Sequence, residues 1–416
     1  MNTQHQRSQW YSLLIIGILY FVFGFITWLN SVLIPFLREA CQLQDNQAYF
    51  VVFAFYISYF VMAIPSSRLL QKTGFVRGMA IGLFVMAVGS LVFIPAAQQR
   101  HYGIFLVGLF LQGTGLALLQ TAANPYVTIL GSIETAARRM SIMGLFNKIA
   151  GMIGIFLLAK ILFSDISSVS ERLSVLPELE KTAELDMLAQ RVIIPYICIA
   201  AALVLLAVMV LSARLPEVQS EENQQNEDKK RSIFSYTYMW LGVLAIFVYV
   251  GVEVIAIDTL ALYADSQNIA KETAALLGTC SLIAFVCGYL LGIVLVPRKL
   301  SQNKALALSA GLGFVFAVSA LCTSGVFSVV FIILLSFSHA LMWPCIWALA
   351  LDKLGKHTAT ASAFLIMAIA GGAFLPLIYG GLVELLKDRQ LPYLMLLPCY
   401  VYIVYYAIGG CKIRKT

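Results

Sequence analysis

The sequence predicts an all-α membrane protein with twelve transmembrane helices in two six-helix bundles. Three observations carry that prediction. Apolar runs of about 20 residues, the length that crosses a bilayer core as a helix, recur along most of the chain. Only 12% of the 416 residues are charged and 60% are hydrophobic, with mean hydropathy +0.86, whereas soluble domains carry roughly 25% charged residues. One strongly charged stretch, L-P-E-V-Q-S-E-E-N-Q-Q-N-E-D-K-K-R from Leu215 to Arg231, interrupts the apolar pattern near its middle.

The elements follow in order. Met1 to Gln9 is polar and leads into an apolar run at 11–37. That run is too long for a signal-peptide core and lacks a cleavage site, so it reads as a retained first span. Further spans are expected at 48–70, 79–97, 104–131, 140–163 and 191–213. Gly74 permits a tight turn between the second and third. The segment Ser164–Gln190, with S-E-R-L-S-V-L-P-E-L-E-K-T-A-E-L-D, is expected to form short amphipathic helices capping one rim. After the solvated linker, spans are expected at 236–263, 274–296, 305–323, 326–351, 359–386 and 393–411. The chain thus divides into a bundle at 1–214, a linker at 215–235 and a second bundle at 236–416.

Lys and Arg in short loops set orientation. With both termini inside, the cytoplasmic segments hold Arg68, Lys72, Arg77, Arg138, Arg139, Arg214, Arg298, Lys299, Lys304, Lys353, Lys356, Lys412, Arg414 and Lys415, besides Lys229, Lys230 and Arg231 of the linker. The opposite short loops hold Arg38, Arg100, Lys271, Lys387 and Arg389. Both termini are therefore expected in the cytoplasm, with the chain in a bacterial inner membrane. The net charge of +7 reads as this bias, since no basic and aromatic interleaving points to nucleic acid. The eight cysteines are scattered without a C-x-x-C pair, so neither zinc nor a disulfide framework is indicated. No phosphate loop, metal-ligand cluster or nucleophile–base pairing is found. An enzyme is not expected, nor any cofactor, and the chain is expected to be a monomer in lipid.

Three ionisable residues lie at membrane depth: Lys148 in G-L-F-N-K-I-A-G, and Glu253 and Asp258 in Y-V-G-V-E-V-I-A-I-D-T. Each costs roughly 2.5–3.5 kcal/mol on insertion scales, so each needs a polar cavity and a partner. Lys148 and Glu253 come from different halves. Their approach would make either a charge pair that breaks and reforms as the halves rock, or a permanent structural bridge. Glu253 is the favoured ion-responsive group. Asp258, about 140° round the helix from Glu253, need not share its cavity. Gln120 and Asn124, four apart, share one helix face, beside Pro125, which removes a backbone donor.

The stretch L-L-Q-T-A-A-N-P-Y-V-T-I-L-G, Leu118 to Gly131, resembles the fucose permease and glucose/galactose transporter family of the major facilitator superfamily. W-L-N-S-V-L-I-P-F-L near Asn30, A-A-R-R-M-S-I-M-G-L-F-N-K at Ala136–Lys148 and Y-V-G-V-E-V-I-A-I-D-T at Tyr249–Thr259 resemble it too. So do M-W-P-C-I-W-A-L-A-L-D-K-L-G-K-H-T from Met342 and A-I-A-G-G-A-F-L-P from Ala368. A-A-N-P-Y-V and G-V-E-V-I-A are closer to the glucose/galactose branch. The resemblance implies the superfamily's fold of two six-helix halves and sugar uptake coupled to H⁺ or Na⁺. In fucose permease one acid follows L-N and another precedes T-A-A-N-P. Here those positions are Ser31 and Gln120, so that carboxylate mechanism does not transfer.

Chemistry narrows the candidates. A polyol needs paired donors and acceptors, which the amides of Asn30, Gln120, Asn124 and Asn147 supply. The same amides can instead tie helices together. His339, Trp343 and Trp347 form one stripe of a helix; an indole facing the cavity would stack on a sugar, and His339 is a proton carrier or a packing residue. Arg68, Lys72 and Arg77 surround a turn that resembles the superfamily's inner gate, though a topology signal alone would also put them there. The expected function is uptake of a hexose or amino sugar by alternating access, coupled to H⁺ or Na⁺. A sugar uniporter, a carrier of a non-sugar metabolite, drug or siderophore-like compound, and a non-transporting sensor are the alternatives.

Overall fold

The structure is a computed structural model describing residues 16–129, 136–164, 169, 172, 176–212, 232–296 and 298–413. The polar start Met1–Gln9 and the charged linker Leu215–Arg231 lie outside the described residues. Eleven of the described helices are long and apolar enough to cross a membrane. One of them, Asn46–Gln98, contains two crossings. Gly74 takes φ 75° and ψ 170° inside it, a region that glycine enters without steric cost. The chain therefore turns there, and twelve crossings result.

The first half comprises α1 (Ile16–Ala40), α2 (50–73), α3 (75–98), α4 (Tyr102–Ile129), α5 (Ala136–Leu162) and α6 (Ile193–Ser212). The second comprises α7 (Thr237–Ser266), α8 (Lys271–Leu295), α9 (Gln302–Cys322), α10 (Gly325–Leu351), α11 (358–386) and α12 (Leu391–Lys412). Odd-numbered helices run from the end where α1 starts to the far end, and even-numbered helices return. Helices are the natural solution here, because each satisfies its own backbone hydrogen bonds without water. Their outer faces carry side chains such as Leu205, Phe327 and Leu385, exposed by 71%, 75% and 76%. In water such a surface would aggregate; against lipid it is solvated. The halves meet mainly where α5 packs on α8 and α2 on α11.

Four helices expected to be continuous are interrupted. Leu29 breaks α1, Thr259 breaks α7, Ala340–Leu341 breaks α10, and a 3₁₀ turn at Ala368–Ala370 interrupts α11. Three of the breaks have a local cause or companion. The Ser31 hydroxyl donates to the Trp28 carbonyl at 2.8 Å, and Thr259 donates to Ile255 at 2.7 Å; such back-bonding bends helices. Pro344 cannot accommodate the Ala340 carbonyl four residues earlier. Non-helical backbone at membrane depth is tolerated where protein covers it, as it does here.

The expected rim helix forms at Glu178–Gln190. It is tied down by Arg172–Glu184 at 2.6 Å and Arg100–Asp186 at 3.3 Å.

Candidate functional site

A cavity of about 100 Å³ lies between the halves. The first half lines it with Tyr20, Phe23, Thr27 and Trp28 of α1, Tyr56 and Tyr59 of α2, Gln120 and Asn124 of α4, and Met140, Gly144, Asn147 and Lys148 of α5. The second supplies Tyr249, Val250 and Glu253 of α7, Tyr289 of α8, Trp343 of α10 and Ile369 of α11. Few polar groups set in an apolar and aromatic wall is the general form of a small-molecule site. At this volume the cavity is narrower than the roughly 300–1,000 Å³ usual for such sites, so entry of a ligand requires the halves to part.

The Lys148 ammonium lies 2.6 Å from the Glu253 carboxylate, with side chains 6% and 10% exposed. The same nitrogen sits 3.7 Å from the Trp28 ring centre and 4.0 Å from that of Phe285. The cation therefore has a counter-ion and two ring faces in place of water, the partnering a buried charge demands. The pair joins α5 of one half to α7 of the other.

Amides and phenols fill the rest. Gly24 lets α1 press on α5: a Cβ there would stand 1.7 Å from the Asn147 carbonyl oxygen. That approach brings the Trp28 indole N–H within 3.0 Å of Asn147 Oδ1. Gln120 donates to the Tyr59 hydroxyl at 3.0 Å, and Tyr20 donates to Asn124 Oδ1. Gln120 and Asn124 thus both line the cavity, as their four-residue spacing implies. Each amide keeps further hydrogen-bonding capacity beyond these contacts.

Some expected residues lie elsewhere. Asn30 is 1% exposed and does not line the cavity, because it follows the break at Leu29 into packed surroundings. Trp347 is sealed behind Trp343, with ring centres 5.5 Å apart and stacked. His339 is buried against Tyr400, whose hydroxyl lies 2.7 Å from Nε2. Asp258 is fully buried outside the cavity, and neither carboxylate oxygen has a hydrogen-bond partner among the described residues. Arg68, Lys72 and Arg77 are exposed around the α2–α3 turn. Sequence reasoning passes over the tyrosines at 20, 56, 59, 249 and 289, and Trp28. Their signal is position: phenols near mid-span lie far from the interfaces where tyrosine usually sits.

The far end of the molecule is closed by contacts between halves. Lys271 of α8 pairs with Glu39 of α1 at 2.9 Å. Asn46 donates to Glu384 of α11, and the Tyr49 and Tyr379 rings meet edge-on at 5.8 Å. Behind them the Tyr393 hydroxyl lies 3.0 Å from that of Thr259.

Comparison with known proteins agrees with this architecture. The family model described as Major Facilitator Superfamily matches residues 16–376. The chain is 34% identical to a glucose/galactose transporter of Brucella abortus, over 99% of this chain and 97% of that one. It is 30% identical to an L-fucose-proton symporter of Escherichia coli, over 87% and 84%. Its backbone superposes on the crystal structure of the superfamily transporter FucP in the outward conformation with a TM-score of 0.77, at 27% identity, over 98% of this chain and 100% of that one.

Proposed function

The chain belongs to the Major Facilitator Superfamily, in its fucose permease and glucose/galactose transporter family, and we propose that it takes up a hexose or an amino sugar by alternating access, coupled to a cation. It is a multi-pass membrane transporter and not an enzyme. The observation that carries the sugar reading is the lining of the cavity. Gln120, Asn124 and Asn147 face Trp28, Trp343 and several tyrosines across one space. Amides match the paired donors and acceptors of sugar hydroxyls, and ring faces match the C–H surface of a pyranose. The names of the relatives support the same substrate class.

In this reading the far end is extracellular and both termini are cytoplasmic. The sugar enters when the Glu39–Lys271 side opens, and it leaves when that side closes and the opposite side parts. The Lys148–Glu253 bridge holds the two halves in register at the level of the sugar. Uniport is the second reading. It is favoured by Ser31 and Gln120, which are neutral and already engaged with the Trp28 carbonyl and with Tyr59.

Uptake into proteoliposomes from a panel of glucose, galactose, fucose and N-acetylglucosamine tests the proposal, with pH and Na⁺ gradients imposed separately. At least one sugar is expected to exchange and to accumulate under one gradient. Asn147→Ala is expected to raise the half-saturating concentration about fivefold to tenfold, the cost of one lost hydrogen bond of about 1–1.5 kcal/mol. Exchange indifferent to both gradients would select uniport. No exchange of any sugar would remove the substrate class.

A further inference from the structure

We propose that the carboxyl of Asp258 is the proton-carrying group of the transport cycle, one turn beyond the sugar cavity and separate from it. The inference rests on the coupled-uptake reading above and deepens it by assigning the ion and its site.

Two observations carry it independently. The first is the isolation of the side chain. Asp258 is 0% exposed, and neither of its oxygens has a hydrogen-bond partner among the described residues. A buried carboxylate left like this loses its hydration without a hydrogen bond in return, and at membrane depth such a residue marks an ion pathway by default. One proton removes the charge; a metal cation would need several further oxygen ligands around it. The second is its place in the fold. Asp258 is the last residue before the break at Thr259, and Thr259 lies against Tyr393 at the inner edge of the far-end closure. A group at that hinge changes surroundings when the far end opens.

The charged groups around it leave the role vacant. Asp258 interacts electrostatically with Lys148 of α5 and Glu253 of its own helix, and it acts on the Tyr56 hydroxyl of α2. Lys148 and Glu253 are paired with each other at 2.6 Å. Several titratable groups on the other packed helices have partners of their own. His339 of α10 is bonded to Tyr400 of α12, Tyr379 of α11 donates to the Arg389 carbonyl, and Lys271 of α8 holds Glu39 of α1. In the cycle, the Asp258 carboxylate gains one proton from extracellular water while the far end is open. The neutral acid lets that end close, and the proton leaves to cytoplasmic water after the opposite side parts.

The test uses the full chain in proteoliposomes with radiolabelled galactose, glucose and N-acetylglucosamine. Asp258→Asn is expected to abolish accumulation driven by an acid exterior, with counterflow persisting at within about threefold of the parent. Asp258→Glu should restore part of the pH-driven accumulation, which a merely structural role would not. Infrared difference spectra across a pH step, recorded without sugar, should show a protonated-carboxyl band in the parent that is missing from Asp258→Asn. Undiminished pH-driven accumulation in Asp258→Asn, accumulation that follows Na⁺ instead of pH, or an unchanged carboxyl band would each overturn the assignment. If no sugar shows counterflow in the parent, the substrate reading fails, and the infrared comparison still decides Asp258.

Discussion

Lys148 and Glu253 show how much a membrane core asks of a charged side chain. At 2.6 Å and almost without solvent, the pair is stabilised by attraction and opposed by desolvation. Removing one partner of such a pair costs more than removing both, because a lone buried charge remains. Glu253→Gln is therefore expected to destabilise the protein by about 3–5 kcal/mol, read as a lowered melting temperature in detergent. Lys148→Met combined with Glu253→Gln should recover most of that loss. A single variant that melts with the parent would mean that the pair is hydrated in the protein. The pair was legible in the sequence, since ionisable residues in apolar runs of different halves require partners. The sandwich of Lys148 between Trp28 and Phe285 was not, because helical spacing fixes a face but not the neighbour across it. Trp347 and Asn30 miss the cavity for the same reason. Both lie on plausible faces, and only the packing of α10 and the break in α1 decide what covers them.

At the level of elements, apolar length located the twelve crossings to within a few residues, while the interruptions in α1, α7, α10 and α11 went unread. Apolar length is a sum over many side chains, whereas a break depends on one or two hydrogen bonds, such as Thr259 to Ile255. Helix association in lipid depends on close packing of small residues more than on hydrophobicity, and the glycines divide accordingly. A Cβ on Gly24 would meet the Asn147 backbone at 1.7 Å, whereas one on Gly311 would meet nothing within 4 Å. Gly24→Ala should therefore push α1 away from α5, loosen the Trp28–Asn147 contact and lower both melting temperature and sugar affinity. Gly311→Ala should be neutral or stabilising by about 0.5–1 kcal/mol, through helix propensity alone. Equal effects of the two substitutions on melting and transport would contradict the tight α1–α5 approach.

For the whole molecule, alternating access requires that closure at one end be weak enough to reverse. The far-end closure has that character. Its ion pair, Lys271 with Glu39, retains side-chain exposures of 31% and 22%, so water screens it and its contribution is at most about 1 kcal/mol. The aromatic contact of Tyr49 with Tyr379 adds a packing term of similar order. The Lys148–Glu253 bridge is deeper and drier, and in the alternating-access reading proposed above it would keep the halves aligned while the ends trade places. Glu39→Gln should accordingly shift the population toward the far-open form by no more than about fivefold, the equilibrium change that 1 kcal/mol permits. Amide hydrogen exchange reads this directly. Exchange should quicken severalfold in Leu260–Ser266 and in the short helix Asp45–Ala48, both at the far end, while α9 keeps its protection. Local opening changes exchange only in the segments that open. A uniform rise across all helices would instead indicate global loosening, and the Glu39–Lys271 pair would then be a fold-stabilising contact with no part in gating.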